Sequence, residues 1–137
     1  MTTPGVIEKV AWLRLHDGRL LATRTHGRDL FYLPGGKPEP GETHEQALVR
    51  EIAEELGVAL DAATLTHVLT VEAPADGKPA GTLVRTFCFT ADGTGDPAPC
   101  GEIAEIAHLT HGDHPRASPA VRQVLDRLAA TGELLRC

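Results

Sequence analysis

Three glutamates, Glu51, Glu54 and Glu55, stand at i, i+3 and i+4, a spacing that places their carboxylates on adjacent turns of one helix face. Like charges so placed repel by about 0.2–0.5 kcal/mol per pair. Arg50 is the cation beside them in the sequence to offset that repulsion. A divalent cation would remove the cost. Carboxylate oxygens are the hard ligands that Mg²⁺ prefers, and Mg²⁺ commonly keeps waters and substrate phosphate oxygens beside its few carboxylates. Upstream, Gly35 and Gly36 follow Pro34, and their missing side chains let backbone groups approach a ligand closely. Such a set suits a divalent cation held beside a phosphate-bearing ligand. Taken by itself, the charge run also fits a solvated helix face.

The elements that must position these residues are marked locally. Thr43 with Gln46 three residues on matches a capping box, and Ala47, Leu48, Val49, Ile52, Ala53 and Leu56 follow with helical spacing up to Gly57. One face packs and the other is acidic. Before the helix, Val6 to Leu15 and Arg19 to Thr25 read as a hairpin about Asp17-Gly18, and Leu30-Phe31-Tyr32-Leu33 reads as a short strand ended by Pro34-Gly35-Gly36. After it, Leu65 to Glu72 and Thr82 to Thr90 flank the turn-rich segment 74–81 and should pair, and Ile103 to Leu109 is a further short strand. Ser118-Pro119 supplies a cap and a first-turn proline for a second helix through Val121, Val124, Leu125 and Leu128. Mixed strands with two helices predict an α/β protein with helices packed against a sheet.

The chain has 137 residues, enough for a single domain, 1–137, with a real core at 42% hydrophobic and 23% charged residues. Its net charge of −6 is the wrong sign for holding duplex nucleic acid or an anionic membrane surface, so a small-molecule partner is expected. No apolar run approaches membrane-spanning length and Met1-Thr2-Thr3-Pro4-Gly5 lacks signal-peptide character, which predicts a cytoplasmic protein. Cys88, Cys100 and Cys137 show no CxxC spacing and are expected to be free thiols. A homodimer is compatible with all of this.

Spacing decides against the bland reading of the acidic face. Gly36, then five residues, Glu42, seven residues, Arg50-Glu51-Ile52-Ala53-Glu54-Glu55-Leu56-Gly57-Val58 resembles the signature of the Nudix hydrolases at every specified position. The order of hairpin, glycine loop, helix, strands and final helix resembles that family's α/β/α sandwich with a mixed sheet between helices. The resemblance implies Mg²⁺-dependent hydrolysis, with Mn²⁺ as a substitute, of a diphosphate linkage in a nucleoside diphosphate derivative. By resemblance, Glu51, Glu54 and Glu55 ligate metal together with the Gly36 carbonyl, Arg50 is an orienting ion-pair partner, and Glu42 fixes the loop against the helix. Family members differ in their general base: Glu51 is the first candidate here, with Glu102 and Glu105 as later-loop alternatives.

Substrate contacts are expected from Gly35, from Arg24 as a bidentate phosphate clamp, with Arg28 as a weaker candidate, and from one of Phe31 and Tyr32. These two aromatics alternate in direction on a strand, so one should face the core and the other the cleft. The loop Pro34-Gly35-Gly36-Lys37 resembles that of members acting on nucleoside triphosphates, while Pro74 lies near where ADP-ribose-directed members carry a proline. The expectation is (modified) nucleoside triphosphates, with ADP-ribose or a nucleotide sugar as the alternative substrate and a non-catalytic nucleotide sensor as the rival class. His108, His111 and His114 near Asp113 read as a surface loop rather than a zinc site, because Gly112 and Pro115 interrupt regular structure there.

Overall fold

The computed structural model describes residues 5–75 and 78–136. The expectations for residues 1–4, for Asp76-Gly77 within the turn and for the Cys137 thiol lie outside those residues. Nine strands are described: β1 (Val6–Trp12), β2 (Leu15–His16), β3 (Arg19–Thr25), β4 (Gly35–Gly36), β5 (Ala59–Leu60), β6 (Thr66–Pro74), β7 (Leu83–Thr90), β8 (Gly93–Thr94) and β9 (Ile103–Leu109). Helices α1 (His44–Leu56) and α2 (Pro119–Ala130) accompany them, with short 3-10 helices at Ala62–Thr64 and His111–Arg116.

One sheet runs β4-β1-β7-β6 and a second β2-β3-β9, while β5 and β8 form a small ribbon. The first sheet is mixed: β1 and β7 are parallel and its other pairs antiparallel. Residues 66–74 and 83–90 pair as their sequence predicts, across a bulge at His67/Leu69. The expected hairpin is partly replaced. Asp17 and Gly18 do turn the chain with φ of 52° and 73°, as a two-residue I′ turn requires, but only Leu15 and His16 return along β3. β1 leaves for the other sheet, because its alternating faces are both needed there.

Val10 and Trp12 join the cluster of Ala47, Leu48, Ile52 and Leu56 on α1, whereas Ala11 and Leu13 join Val121, Val124, Leu125 and Leu128 on α2. The strands thus lie between two helices in an α/β/α sandwich, each side of which is sealed by one amphipathic helix. Trp12 is a core residue, with its indole N–H donating to the Ala91 carbonyl. Cys88 is a buried free thiol, which burial pushes up to about 12, and Cys100 is also free. Among the described residues no helix is long and apolar enough to cross a membrane.

Candidate active site

Helix α1 begins where its cap predicts. The Thr43 side chain accepts from the Gln46 N–H at 3.1 Å, the Gln46 side chain accepts from the Thr43 N–H at 3.0 Å, and the helix stops on left-handed Gly57 at φ 68°. Capping at both ends fixes which way the acidic face points. It points at β4, the Gly35–Gly36 pair that Val10 and Ala11 hold against β1.

The two glycines are needed for different reasons. Gly35 has φ 147°, and a Cβ there would collide with the Val10 carbonyl oxygen. At Gly36 a Cβ would stand 2.6 Å from the Glu51 carboxylate, so this carboxylate occupies the space that the missing side chain leaves. The Gly35 N–H donates to Glu55 Oε2 at 3.2 Å. Helix and loop therefore meet through two carboxylates and a glycine pair.

The three box glutamates, alike in sequence, differ in environment. Glu54 is exposed and accepts from Arg50 at 3.4 Å. Glu51, with a side chain only 17% exposed, accepts from the same guanidinium at 3.0 Å. Glu55 lines the cleft described below, where burial, aided by the charge of Glu51 and a hydrogen bond shared with it, pushes its carboxyl up to about 8. The Gly35 N–H opposes that rise. A carboxyl held so far above its ordinary 4.5 reports its burial first, with the neighbouring Glu51 carboxylate adding to the rise and Lys9 opposing it.

Arg50 is the cation hydrogen-bonded to Glu51 and Glu54, and the rest of its donors are committed elsewhere. Its Nε and Nη2 grip both oxygens of Glu42 at 2.8 and 2.9 Å, and Nη2 also reaches the Lys37 carbonyl at 3.3 Å. The Arg50 hydrogen bonds, joined by the Glu39 N–H, hold the Glu42 carboxyl down at about 2. Through this fork Arg50 ties the loop after β4 to the helix. Among the described residues no three acidic, histidine or cysteine groups converge as a finished metal cage, since Glu54 turns to Arg50. The donor chemistry nevertheless fits a hard divalent ion: Glu51 and Glu55 meet at the Gly35–Gly36 pair, and Glu54 is one exposed side chain away on the same face.

From this edge opens a cavity of about 280 Å³, walled by both sheets and the first turn of α2. Ile7, Leu33, Ala73, Val84 and Ile103 give it apolar surface, and Thr23, Thr25, Thr86 and Ser118 line it with polar side chains. Tyr32 lines it as well. Phe31, its expected alternative, does not: it is 3% exposed in the α2-side core, with the Arg116 guanidinium 4.9 Å from its ring. The alternation predicted for the pair holds, and only Tyr32 is left for a ligand.

Arg24 is also turned away from its expected role. It pairs with Glu105 across the β3–β9 register, Nε to Oε1 at 2.7 Å, and donates to the Arg28 carbonyl at 3.1 Å. The cleft is lined instead by Arg28. Glu105 is occupied by Arg24, Glu102 is exposed, and neither lines the cleft. Sequence reading also misses Lys9, Lys37 and Lys78, which line it. Burial first, then the charges of Lys37 and Arg28, push the Lys9 ammonium below its ordinary value, while Glu55 raises it. Alternation of buried apolar and polar residues along β1 is the one signal that places Lys9 on an inner face.

The histidines do not assemble a zinc site. His111 and His114 lie on a 3-10 helix, regular structure that Gly112 and Pro115 were expected to prevent, and both pair with Asp126 at 2.9 and 3.3 Å. His108 sits apart on β9 near His16.

The sequence pattern of the NUDIX domain matches residues 7–128. The chain belongs to the Nudix hydrolase family. It is 32% identical over 127 residues to an 8-oxo-dGTP diphosphatase of Escherichia coli, covering 87% of this chain and 95% of that one. It is 49% identical over 57 residues to the CTP pyrophosphohydrolase of the same organism, 39% of this chain and 42% of that one. To the mouse 8-oxo-dGDP phosphatase it is 36% identical over 91 residues, 66% of this chain and 25% of that protein. The chain thus spans about a quarter of one of these Nudix relatives and under half of another. Among solved structures, a MutT Nudix hydrolase from Burkholderia pseudomallei superposes with a TM-score of 0.74 at 25% identity, over 90% of this chain and 98% of the other. The E. coli ORF135 protein gives 0.73 at 26% identity over 94% and 92%.

Proposed function

We propose that this Nudix protein hydrolyses a diphosphate linkage in a nucleotide, with nucleoside triphosphates or their modified forms as substrates and a nucleotide plus phosphate or pyrophosphate as products. The observation that carries the reading is the meeting of Glu51 and Glu55 at the Gly35–Gly36 pair, at the mouth of a cleft walled by Tyr32 and lined with cations. The relatives named for 8-oxo-dGTP, 8-oxo-dGDP and CTP support the substrate class.

In this proposal Glu51, Glu54, Glu55 and the Gly36 carbonyl hold Mg²⁺, or Mn²⁺ in its place. Bound there, the ion would neutralise phosphate oxygens and ease deprotonation of water. The remaining work falls to the chain. Glu51 takes the proton of the attacking water. Arg50 orients it and keeps Glu54 on the same face, and Glu42 locks Arg50 so that loop and helix hold one geometry. Gly35 holds Glu55 through its N–H and, lacking a side chain, lets the phosphate chain pass close to the backbone, Lys37 and Arg28 stand at that edge, and Tyr32 offers a ring face to a nucleobase.

A phosphate-release screen of the purified protein with Mg²⁺ tests this over nucleoside triphosphates, nucleotide sugars, ADP-ribose and dinucleoside polyphosphates. Turnover on triphosphates that disappears with EDTA is expected. Tight nucleotide binding without turnover of any compound would assign the protein to the sensor class instead.

A further inference from the structure

Four polar residues are buried among the described residues: Thr23, Thr86, Thr110 and Ser118. Three of their side chains serve the fold. Thr23 Oγ1 donates to the Tyr32 carbonyl at 3.3 Å, Thr110 Oγ1 donates to Asp113 at 3.2 Å, and Ser118 Oγ accepts from the Val121 N–H at 3.3 Å. Thr86, 6% exposed on β7, has no hydrogen-bond partner for its hydroxyl among the described residues. No side-chain polar atom of those residues is both sealed from solvent and unpaired, so this hydroxyl opens into the cleft that Thr86 lines. It sits at the inner end of that cleft. Lys9 and Val71 flank it across the sheet, and Val71 and Cys88, the latter two residues on along β7, already belong to the core. Strand β7 lies two strands from the Gly35–Gly36 pair on β4, about 10 Å at ordinary strand spacing, so Thr86 stands beyond the edge proposed for the phosphates.

Resting on the function proposed above, we infer that Thr86 is a specificity-determining residue for the nucleobase, its hydroxyl hydrogen-bonding a polar group on the edge of the base. A ligand that covers this hydroxyl shuts it off from water, and one that offers no hydrogen bond in return leaves it stranded. A ribose fits the position badly. Its two hydroxyls each need partners, whereas Ile7, Ala73 and Val84, which continue the same sheet face, have none to give. A base brings apolar faces to those side chains and polar atoms at its rim. Because a hydroxyl donates to an oxo group or accepts from an amino group, Thr86 selects for a polar edge of either kind.

Calorimetry with AMP, GMP, CMP and UMP, which carry no diphosphate linkage to cleave, reads this without turnover. Thr86→Val keeps the shape and removes the hydroxyl, so at least one of the four should bind about 10-fold more weakly, and Thr86→Ser should retain most of the affinity. The 2′,3′-dideoxy form of the responding nucleotide should lose as much from Thr86→Val as the ribose form does. Without ligand, the melting temperature of Thr86→Val should be unchanged or higher, since the hydroxyl holds nothing in the fold. A lower melting temperature would assign the hydroxyl to the fold and overturn the inference. It is overturned equally by no binding of the four to the wild type, by no weakening of any in Thr86→Val, or by a weakening that the dideoxy form escapes. Triphosphate turnover is scored separately: turnover without Thr86-dependent binding sinks only the base-edge inference, and Thr86-dependent binding without turnover of any compound sinks only the hydrolytic reading.

Discussion

Replacing Glu55 with glutamine should make the metal-free protein more stable at alkaline pH while abolishing hydrolysis. The unfolded chain releases this proton near the ordinary value of 4.5, the folded one only at about 8. Between those values the folded state binds more protons, so the contribution is complete below about 4.5 and is lost as pH rises through about 8. At about 1.4 kcal/mol per pH unit the upper bound approaches 5 kcal/mol, and solvent screening at an incompletely buried side chain brings the expected loss to ~2–3 kcal/mol. Glutamine keeps an oxygen for the Gly35 N–H and has nothing to ionise. Thermal melts in EDTA from pH 5 to pH 9 should therefore show the wild type falling by roughly 10 °C more than Glu55→Gln, at about 4 °C per kcal/mol for a chain of this size. Mg²⁺ at pH 8 should raise the wild-type midpoint through linkage and raise the variant's far less. Parallel pH profiles for the two proteins would refute the buried-carboxyl argument.

The two glycines should fail differently. Gly35→Ala drives a Cβ into the Val10 carbonyl at a positive φ and should cost ~3 kcal/mol or more, read as loss of soluble protein or a large drop in urea midpoint. Gly36→Ala displaces only the end of the Glu51 side chain, so turnover should collapse while the unfolding free energy from urea melts falls by about 1 kcal/mol or less. Arg50→Lys cannot make the paired bonds to Glu42 and should lower kcat by about 10-fold or more with KM little changed. Glu42→Gln should remove the stability that its depressed carboxyl provides above about pH 4.5 and that the wild type loses as pH falls through about 2, seen as converging acid-unfolding curves. Purified protein should carry no stoichiometric zinc by elemental analysis, because His111 and His114 are engaged with Asp126.

How much of this was legible in the sequence depends on whether the governing contacts are local. Helix α1 was, to the residue at its cap: a reciprocal Thr43–Gln46 pair and a left-handed Gly57 are short-range devices. So was α2, by Ser118-Pro119. The parallel pairing of β1 with β7 was not, since 77 residues separate Val6 from its partner Leu83 and no local signal selects parallel over hairpin pairing. At the site, the pattern of glutamates marked the face of α1 that meets the Gly35–Gly36 pair, but equal residues on one face gave no hint that Glu55 is buried and Glu54 exposed. Arg24 looked available because its partner, Glu105, lies across a sheet, 81 residues away. Lys9 went unnoticed for the converse reason: a lone lysine in an edge-like run reads as surface until β7 and α2 enclose it.

Hydrolysis of a nucleoside triphosphate in ¹⁸O-labelled water, with Mg²⁺ and again after EDTA, tests the central claim most directly. The account predicts label on phosphorus, in the nucleotide or in the released phosphate or pyrophosphate, no label in the sugar, and no reaction in the chelated protein. Label entering the sugar, or turnover that persists after thorough chelation, would contradict it.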